Sequence, residues 1–257
     1  MIAKKDYELA LFSRQAYLYY RLGTTRYEEA NYAEAISAFT RAIKIDDNYV
    51  NAYYYRALAN YKLQKYSLAL ADFDRTLKLD SEYISAYNNR GLIRYRSQLY
   101  SQAIADFTKA IELNNDYGKA YGNRGLARYK IGEYTAAIAD FTRAIQLNNK
   151  SDFVYNYRGL AQYKIGEYSA AIKDFDLAIK INSNYADAYY NRANTKYKLK
   201  DNSAAIQDYE TSIKLNSNYI FAAYNLGIVF YQSGEYQKAI DSFTTAIALN
   251  PNHANIY

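Results

Sequence analysis

Arginine and aspartate recur along this chain at a single interval. Arg56, Arg90, Arg124, Arg158 and Arg192 stand 34 residues apart, and Asp72, Asp106, Asp140, Asp174 and Asp208 each follow their arginine by 16 residues. A guanidinium offers parallel N–H donors and a carboxylate two acceptor oxygens. The chemistry this spacing invites is therefore a bidentate bridge between two segments, partly shielded from water, with a structural role. Asparagine, tyrosine and basic residues recur at the same interval, and these are groups that bind rather than react. Reactive types are scarce. Cysteine is absent, which excludes a thiol nucleophile, a disulfide framework and cysteine-ligated metal sites. His253 is the one histidine, so histidine acid–base chemistry and multi-histidine metal sites are excluded too. Gly122-Asn123-Arg124-Gly125 falls in a helical pattern and lacks the Lys-Ser/Thr of a phosphate loop. The expectation is a chain with no enzymatic activity, no cofactor and no metal.

The elements that position these residues follow from the interval. The Ala-Ile/Leu pairs at Ala35, Ala69, Ala103, Ala137, Ala171, Ala205 and Ala239 are spaced by 34 without one insertion, and define seven units: 16–49, 50–83, 84–117, 118–151, 152–185, 186–219 and 220–253. Each unit reads as two helices. Tyr121, Gly125 and Tyr129 keep one face of the first, and Ala137, Phe141 and Ala144 one face of the second, three or four residues apart. A short break such as Gly132-Glu133-Tyr134 separates them, and Asn148-Asn149 suits a turn at the end. A single hairpin cannot bury both faces, whereas stacked neighbours can. Half the residues are apolar, enough for a core, and ten glycines and one proline are too few for the turns of an all-β fold.

The period, with small residues at position 8 of each unit, alanine at position 20 and Phe39, Phe73, Phe107, Phe141, Phe175, Tyr209 and Phe243 at position 24, resembles the tetratricopeptide repeats over 238 of the 257 residues. The resemblance implies an all-α fold, a right-handed α–α superhelix. Residues 1–15 are expected to form a helical lead-in. Residues 254–257 read as the start of an eighth repeat, either because the chain is a fragment, the favoured explanation, or because its end stacks on another chain. The arginine and aspartate vanish together in the first and last units, which carry Leu22 with Ala38 and Leu226 with Ser242, as capping repeats do.

In this family the first helices line a concave inner wall. Carried onto this sequence, that wall holds Lys62, Arg96, Lys130, Lys164 and Lys198 beside Tyr95, Tyr129, Tyr163 and Tyr197. It also holds the asparagines Asn89, Asn123, Asn156, Asn191, Asn194 and Asn225, the leucines Leu92, Leu126 and Leu160, and Lys119. The implied site is a groove with an apolar strip, amides able to bond peptide main chain and a cationic edge. A carboxylate clamp of the chaperone-binding kind is absent. Position 5 is never lysine, Tyr54 and Leu58 replace the first Lys–Asn pair, and Asn123 replaces the arginine. The Asn-Arg-Gly and Asp-Phe phrasing is similar to bacterial, notably cyanobacterial, repeats, some of which assist assembly of membrane complexes.

The expected function is a protein-interaction scaffold that binds an extended acidic or aromatic peptide. Self-assembly through the chain end is the alternative, followed by single-stranded RNA binding through tyrosines and basic residues, which the five recurring aspartates oppose. A net charge of +6 favours acidic partners without making a nucleic-acid binder. The charged opening Met1-Ile2-Ala3-Lys4-Lys5 is unlike a secretory signal, and no run reaches the ~20 apolar residues of a membrane span, so the expected location is cytoplasmic.

Overall fold

In a computed structural model the structure describes residues 2–249, with side chains from residue 12 onward; the expected start of an eighth repeat at 254–257 lies outside the described residues. Fourteen helices and no strand occur among them. They are α1 (Ile2–Glu28), α2 (Tyr32–Ile45), α3 (Val50–Lys62), α4 (Tyr66–Leu79), α5 (Ile84–Arg96), α6 (Tyr100–Leu113) and α7 (Gly118–Lys130), then α8 (Tyr134–Gln146), α9 (Asp152–Lys164), α10 (Tyr168–Ile181), α11 (Ala186–Lys198), α12 (Asn202–Leu215), α13 (Ile220–Gln232) and α14 (Tyr236–Leu249). α1 runs unbroken through the stretch expected as a lead-in. The chain divides into two compact units, Met1–Ala127 and Arg128–Tyr257, with the boundary inside α7.

In the first unit each helix from α1 to α6 packs on the next, and α1 also touches α3. In the second, α8 to α14 pack in the same order, and α9 touches α11. The even-numbered helices bury a narrow stripe. In α6 it is Ala103, Asp106, Phe107, Ala110 and Ile111, spaced three and four apart so that all face one side. The phenylalanine of that stripe explains the small residue opposite. A Cβ added at Gly91 would sit 2.7 Å from the fully buried Phe107 ring, and one at Gly159 would sit 2.8 Å from Phe175. The ring fills the volume that a side chain would take.

Each first helix stops in the same way. Ala30, Gln64, Gln98, Gly132, Gly166, Lys200 and Gly234, all at position 15, are left-handed, with φ between 59° and 84°. The next amide then reaches back five residues, as Leu99 N–H does to the Arg94 carbonyl at 2.9 Å and Glu133 N–H to Arg128 at 3.0 Å. This closing bond satisfies a carbonyl the helix end would otherwise orphan. Most second helices end on an extended Asp or Asn whose side chain accepts the amide two residues on, as Asp80 does from Glu82 at 2.9 Å.

Candidate functional site

The recurring arginines bind three helices rather than two. Arg56 meets Asp72 through Nη2 and Nε at 2.7 and 2.9 Å, Arg158 meets Asp174 at 2.6 and 2.7 Å, and Arg192 meets Asp208 at 2.6 and 2.8 Å. Arg90 holds Asp106 in the same bidentate way. The remaining Nη1 of each reaches the preceding second helix, where it finds Thr40, Asp74, Thr142 or Asp176. Arg124 donates to Thr108 at 3.1 Å in the same fashion, while its expected partner Asp140 belongs to the other unit. Each guanidinium also covers a tyrosine ring three residues earlier, Tyr53, Tyr87, Tyr121, Tyr155 and Tyr189, at 5.4–5.7 Å. Burial opposes the charge of Arg90 and Arg192, but the bonds to their two carboxylates outweigh it and raise both pKa values.

Sequence reasoning missed a second cation on several of these carboxylates. Arg94 bonds Asp106 at 2.7 Å, Arg128 bonds Asp140 at 2.8 Å and Lys196 bonds Asp208 at 2.8 Å. The signal was a basic residue one helical turn after the arginine.

The asparagines expected on the inner wall turn out to join successive first helices. In the first unit Asn89 Nδ2 donates to the Tyr54 hydroxyl at 3.0 Å and Asn123 Nδ2 to Asn88 Oδ1 at 2.9 Å. In the second, Asn191 Nδ2 donates to Asn156 Oδ1 at 3.0 Å, and Asn225 Nδ2 donates to Tyr190 at 3.2 Å and to Asn194 Oδ1 at 2.9 Å. An offset of 35 residues sets position 6 of one helix beside position 5 of the helix before it. Part of the bonding capacity assigned to a peptide is therefore used within the repeats.

The other expected residues divide by unit. In the first, Leu92 and Tyr95 pack around Ala103, Phe107 and Ala127, and so serve the core. Leu126 is half-buried, Lys62 and Lys119 are exposed, and Arg96 lies over the Tyr61 ring at 5.4 Å. In the second unit, Tyr129, Leu160, Tyr163, Lys164, Asn191 and Asn194 line one cavity of about 180 Å³. Tyr163 and Asn194 also line a second, of about 170 Å³, with Tyr197, Lys198, Tyr209, Asn225 and Ile228. Lys130 is exposed and lines neither cavity; Asn156 is buried, donating to Tyr185 while accepting from Asn191. Tyr129 and Tyr163 lean on Tyr134 and Tyr168 of the following helix, each at 5.5 Å, and burial raises their phenol pKa values, with the neighbouring rings adding to it. Burial, and then the exposed Asp187, does the same for Tyr157 and Tyr185.

Tyr209 is a cavity-lining residue that sequence reasoning passed over. It replaces the recurrent phenylalanine, is fully buried, and donates its hydroxyl to Asn194 Oδ1 at 2.6 Å. The signal was present: asparagine replaces leucine at position 9 only in the repeat where tyrosine replaces phenylalanine at position 24. With Oδ1 of Asn194 taken by Tyr209 and Asn225, its Nδ2 remains as a donor in both cavities. Asn191, which donates through Nδ2, keeps Oδ1 as an acceptor in the first cavity. Among the described residues no cluster of His, Cys, Asp and Glu could hold a metal ion, and no helix is long and apolar enough to cross a membrane.

Comparison with known proteins agrees with this geometry. Family models described as tetratricopeptide repeat match residues 84–117, 118–151, 186–219 and 220–253, and a further one matches 20–84; a model described as TPR repeat matches 163–200. No curated protein matches the chain. Solved structures with a similar fold include the C-terminal part of a TPR repeat-containing protein from Cytophaga hutchinsonii, at 23% identity and TM-score 0.72 over 92% of this chain and 97% of that one. A tetratricopeptide repeat protein from Parabacteroides merdae is similar at 17% identity and TM-score 0.69, over 95% and 96%. YrrB, described as a TPR protein with an unusual peptide-binding site, is similar at 19% identity and TM-score 0.61, over 72% and 95%. Fourteen helices among the described residues, repeating in pairs at a 34-residue interval, with family models matching well over half of the residues, make this chain a member of the tetratricopeptide repeat family.

Proposed function

We propose that the chain is a protein-interaction scaffold whose second unit binds an extended peptide along the two joined cavities between Tyr129 and Ile228. The scaffold role follows from family membership. The peptide site rests on one observation above the others: Asn191 Oδ1 and Asn194 Nδ2, an acceptor and a donor, remain open in one cavity. A peptide backbone offers the matching N–H and C=O. Leu160 and the faces of Tyr129 and Tyr163 supply the apolar contact, and Tyr163 and Asn194 continue the site into the next repeat. Lys164 and Lys198, one per cavity, favour acidic side chains on the ligand and speed encounter with them.

A display library of random peptides, selected on chain 1–257, tests this. Enriched sequences are expected to carry acidic and aromatic residues. Asn194→Leu/Tyr209→Phe rewrites the sixth repeat in the form of its neighbours, removing the open donor without stranding the Tyr209 hydroxyl. It is expected to weaken the selected peptides about tenfold or more, the loss of a hydrogen bond in a desolvated site. Lys164→Glu/Lys198→Glu is expected to weaken them and flatten the salt dependence. Equal binding by both variants would place the peptide elsewhere.

A further inference from the structure

A larger cavity lies in the last repeat, apart from the proposed peptide site. It measures about 350 Å³ and is framed by Glu210 and Ile213 of α12, Leu226 of α13, and Asp241, Ser242 and Thr245 of α14. Its origin is a change in the repeat code. In the preceding repeat this place between two second helices is filled from within by Arg192, which bonds Asp208 on its own hairpin and Asp176 on the helix before, each at 2.6 Å. One interval on, the positions of Arg192, Asp208 and Asp176 are held by Leu226, Ser242 and Glu210. The arginine and its own aspartate are lost, and the outer carboxylate is kept.

We propose that this cavity is a binding site for the guanidinium of an arginine side chain presented by a partner polypeptide. The chemistry of the walls selects for donors. The Ser242 hydroxyl donates to the Lys238 carbonyl at 2.8 Å and the Thr245 hydroxyl to the Asp241 carbonyl at 2.9 Å, so both oxygens turn only lone pairs to a ligand. Among the described residues no cation stands within ion-pair distance of Glu210; Lys238 pairs with Glu235 and has Glu210 only as a weaker neighbouring charge. Asp241 accepts one bond, from Gln237 at 3.1 Å, and retains further acceptor capacity. Guanidinium carries five N–H donors and no acceptor, and its flat faces and methylene stem suit Leu226, Ile213 and Ala223. Lys214 also borders the cavity and leaves its lining with one net negative charge. A peptide-borne arginine fits better than the free amino acid, whose α-carboxylate would face Glu210 and Asp241. The first repeat makes the contrast. Its corresponding cavity, beside Leu22 and Ala38, is lined by one carboxylate, Glu34, which the chain's own Arg26 already bonds at 3.1 Å, and by Arg41, so its lining carries one net positive charge instead.

Calorimetry of chain 1–257 with the blocked tripeptide acetyl-Ala-Arg-Ala-amide, and with its citrulline and lysine counterparts, tests the site. Citrulline keeps the shape and loses the charge. The arginine peptide is expected to bind, and citrulline to bind about tenfold weaker or less, the loss of a charge-assisted bond. Lysine, which lacks the planar fork, is expected between them. Leu226→Arg/Ser242→Asp refills the slot from inside as in the sixth repeat, and is expected to abolish binding without lowering the thermal midpoint. If that variant does not fold, Glu210→Gln, a change at an exposed residue, is expected to weaken binding about tenfold on its own. No binding of the arginine peptide by the unmodified chain would overturn the proposal. So would equal binding of citrulline, or unchanged binding in the folded variants.

Discussion

At the scale of single residues, the aspartates carry the strongest constraint on this chain. The Asp174 side chain is 3% exposed, and a carboxylate so placed is tolerable only while its cations remain. The repeats differ in how many cations they supply. Asp208 has both Arg192 and Lys196, whereas Asp174 has Arg158, and the residue in the place of Lys196 is Gln162. Arg158→Leu is therefore expected to cost roughly 3–5 kcal/mol, the cost of breaking a buried pair from one side. Arg192→Leu should cost less, because Lys196 still faces Asp208. Adding Asp174→Leu to Arg158→Leu should restore a large part of the loss. Urea unfolding of the two single variants and the Arg158/Asp174 double-mutant cycle measures all three, and equal costs at the two arginines would contradict the assignment of Lys196. The bridging pairs were legible from sequence because each joins two strictly periodic residue types. The second cations were not, because position 11 varies among Asn, Arg, Gln and Lys across the five repeats that hold the pair, and only proximity to the aspartate gives it meaning.

At the scale of the helical hairpin, the fold depends on seven left-handed residues, of which three are glycine. Glycine adopts that conformation without penalty, while a residue with a Cβ is disfavoured there by about 1–2 kcal/mol. Gln98, with φ of 60°, stands where Gly132 and Gly166, each at 84°, stand in the next two repeats, and it is exposed at the end of its helix. Gln98→Gly is expected to raise stability by about 1 kcal/mol, after allowing for the extra freedom glycine gives the unfolded chain. A shift of the thermal midpoint reads this, and a lower midpoint would mean that the glutamine stem contributes packing larger than its backbone strain. Sequence alone marks the turns at Gly132, Gly166 and Gly234. Ala30, Gln64, Gln98 and Lys200 do not announce a left-handed residue, and only their place in the 34-residue frame does. One loop departs from the frame. After α8 the left-handed residue is Asn148, and Ser151, in place of the usual tyrosine, caps α9 by accepting from the Val154 amide at 3.2 Å. That exception follows from a serine where five other repeats or their boundaries carry tyrosine, so the next helix is opened by a side-chain cap rather than by an aromatic anchor.

At the scale of the whole chain, the period made the architecture readable, but it left the use of each polar group undecided. Asn191 and Asn225 look alike in sequence, and both spend their donors on the preceding helix; what distinguishes the site is the bond from Tyr209 to Asn194, a contact between two helices that no spacing displays. The same holds for the tyrosines. Residues far apart in sequence, Tyr20 and Tyr54 in the first unit and Tyr209 and Tyr219 in the second, are all raised above the ordinary phenol value, chiefly by burial. For Tyr20 and Tyr54 the value reaches about 12. An unfolded tyrosine ionises near pH 10. Between that pH and about 12 the unfolded chain sheds protons that the folded chain retains, so stability is level below about pH 10 and falls as pH rises further. Because such tyrosines occupy both units, the loss should accumulate along the chain. An alkaline titration that follows phenolate absorbance together with helical circular dichroism tests this. A fraction of the tyrosines is expected to ionise only as the helices melt, above pH 10. If every tyrosine ionised near pH 10 with the helices intact, the phenols would be open to water and the aromatic seams between repeats would not be closed.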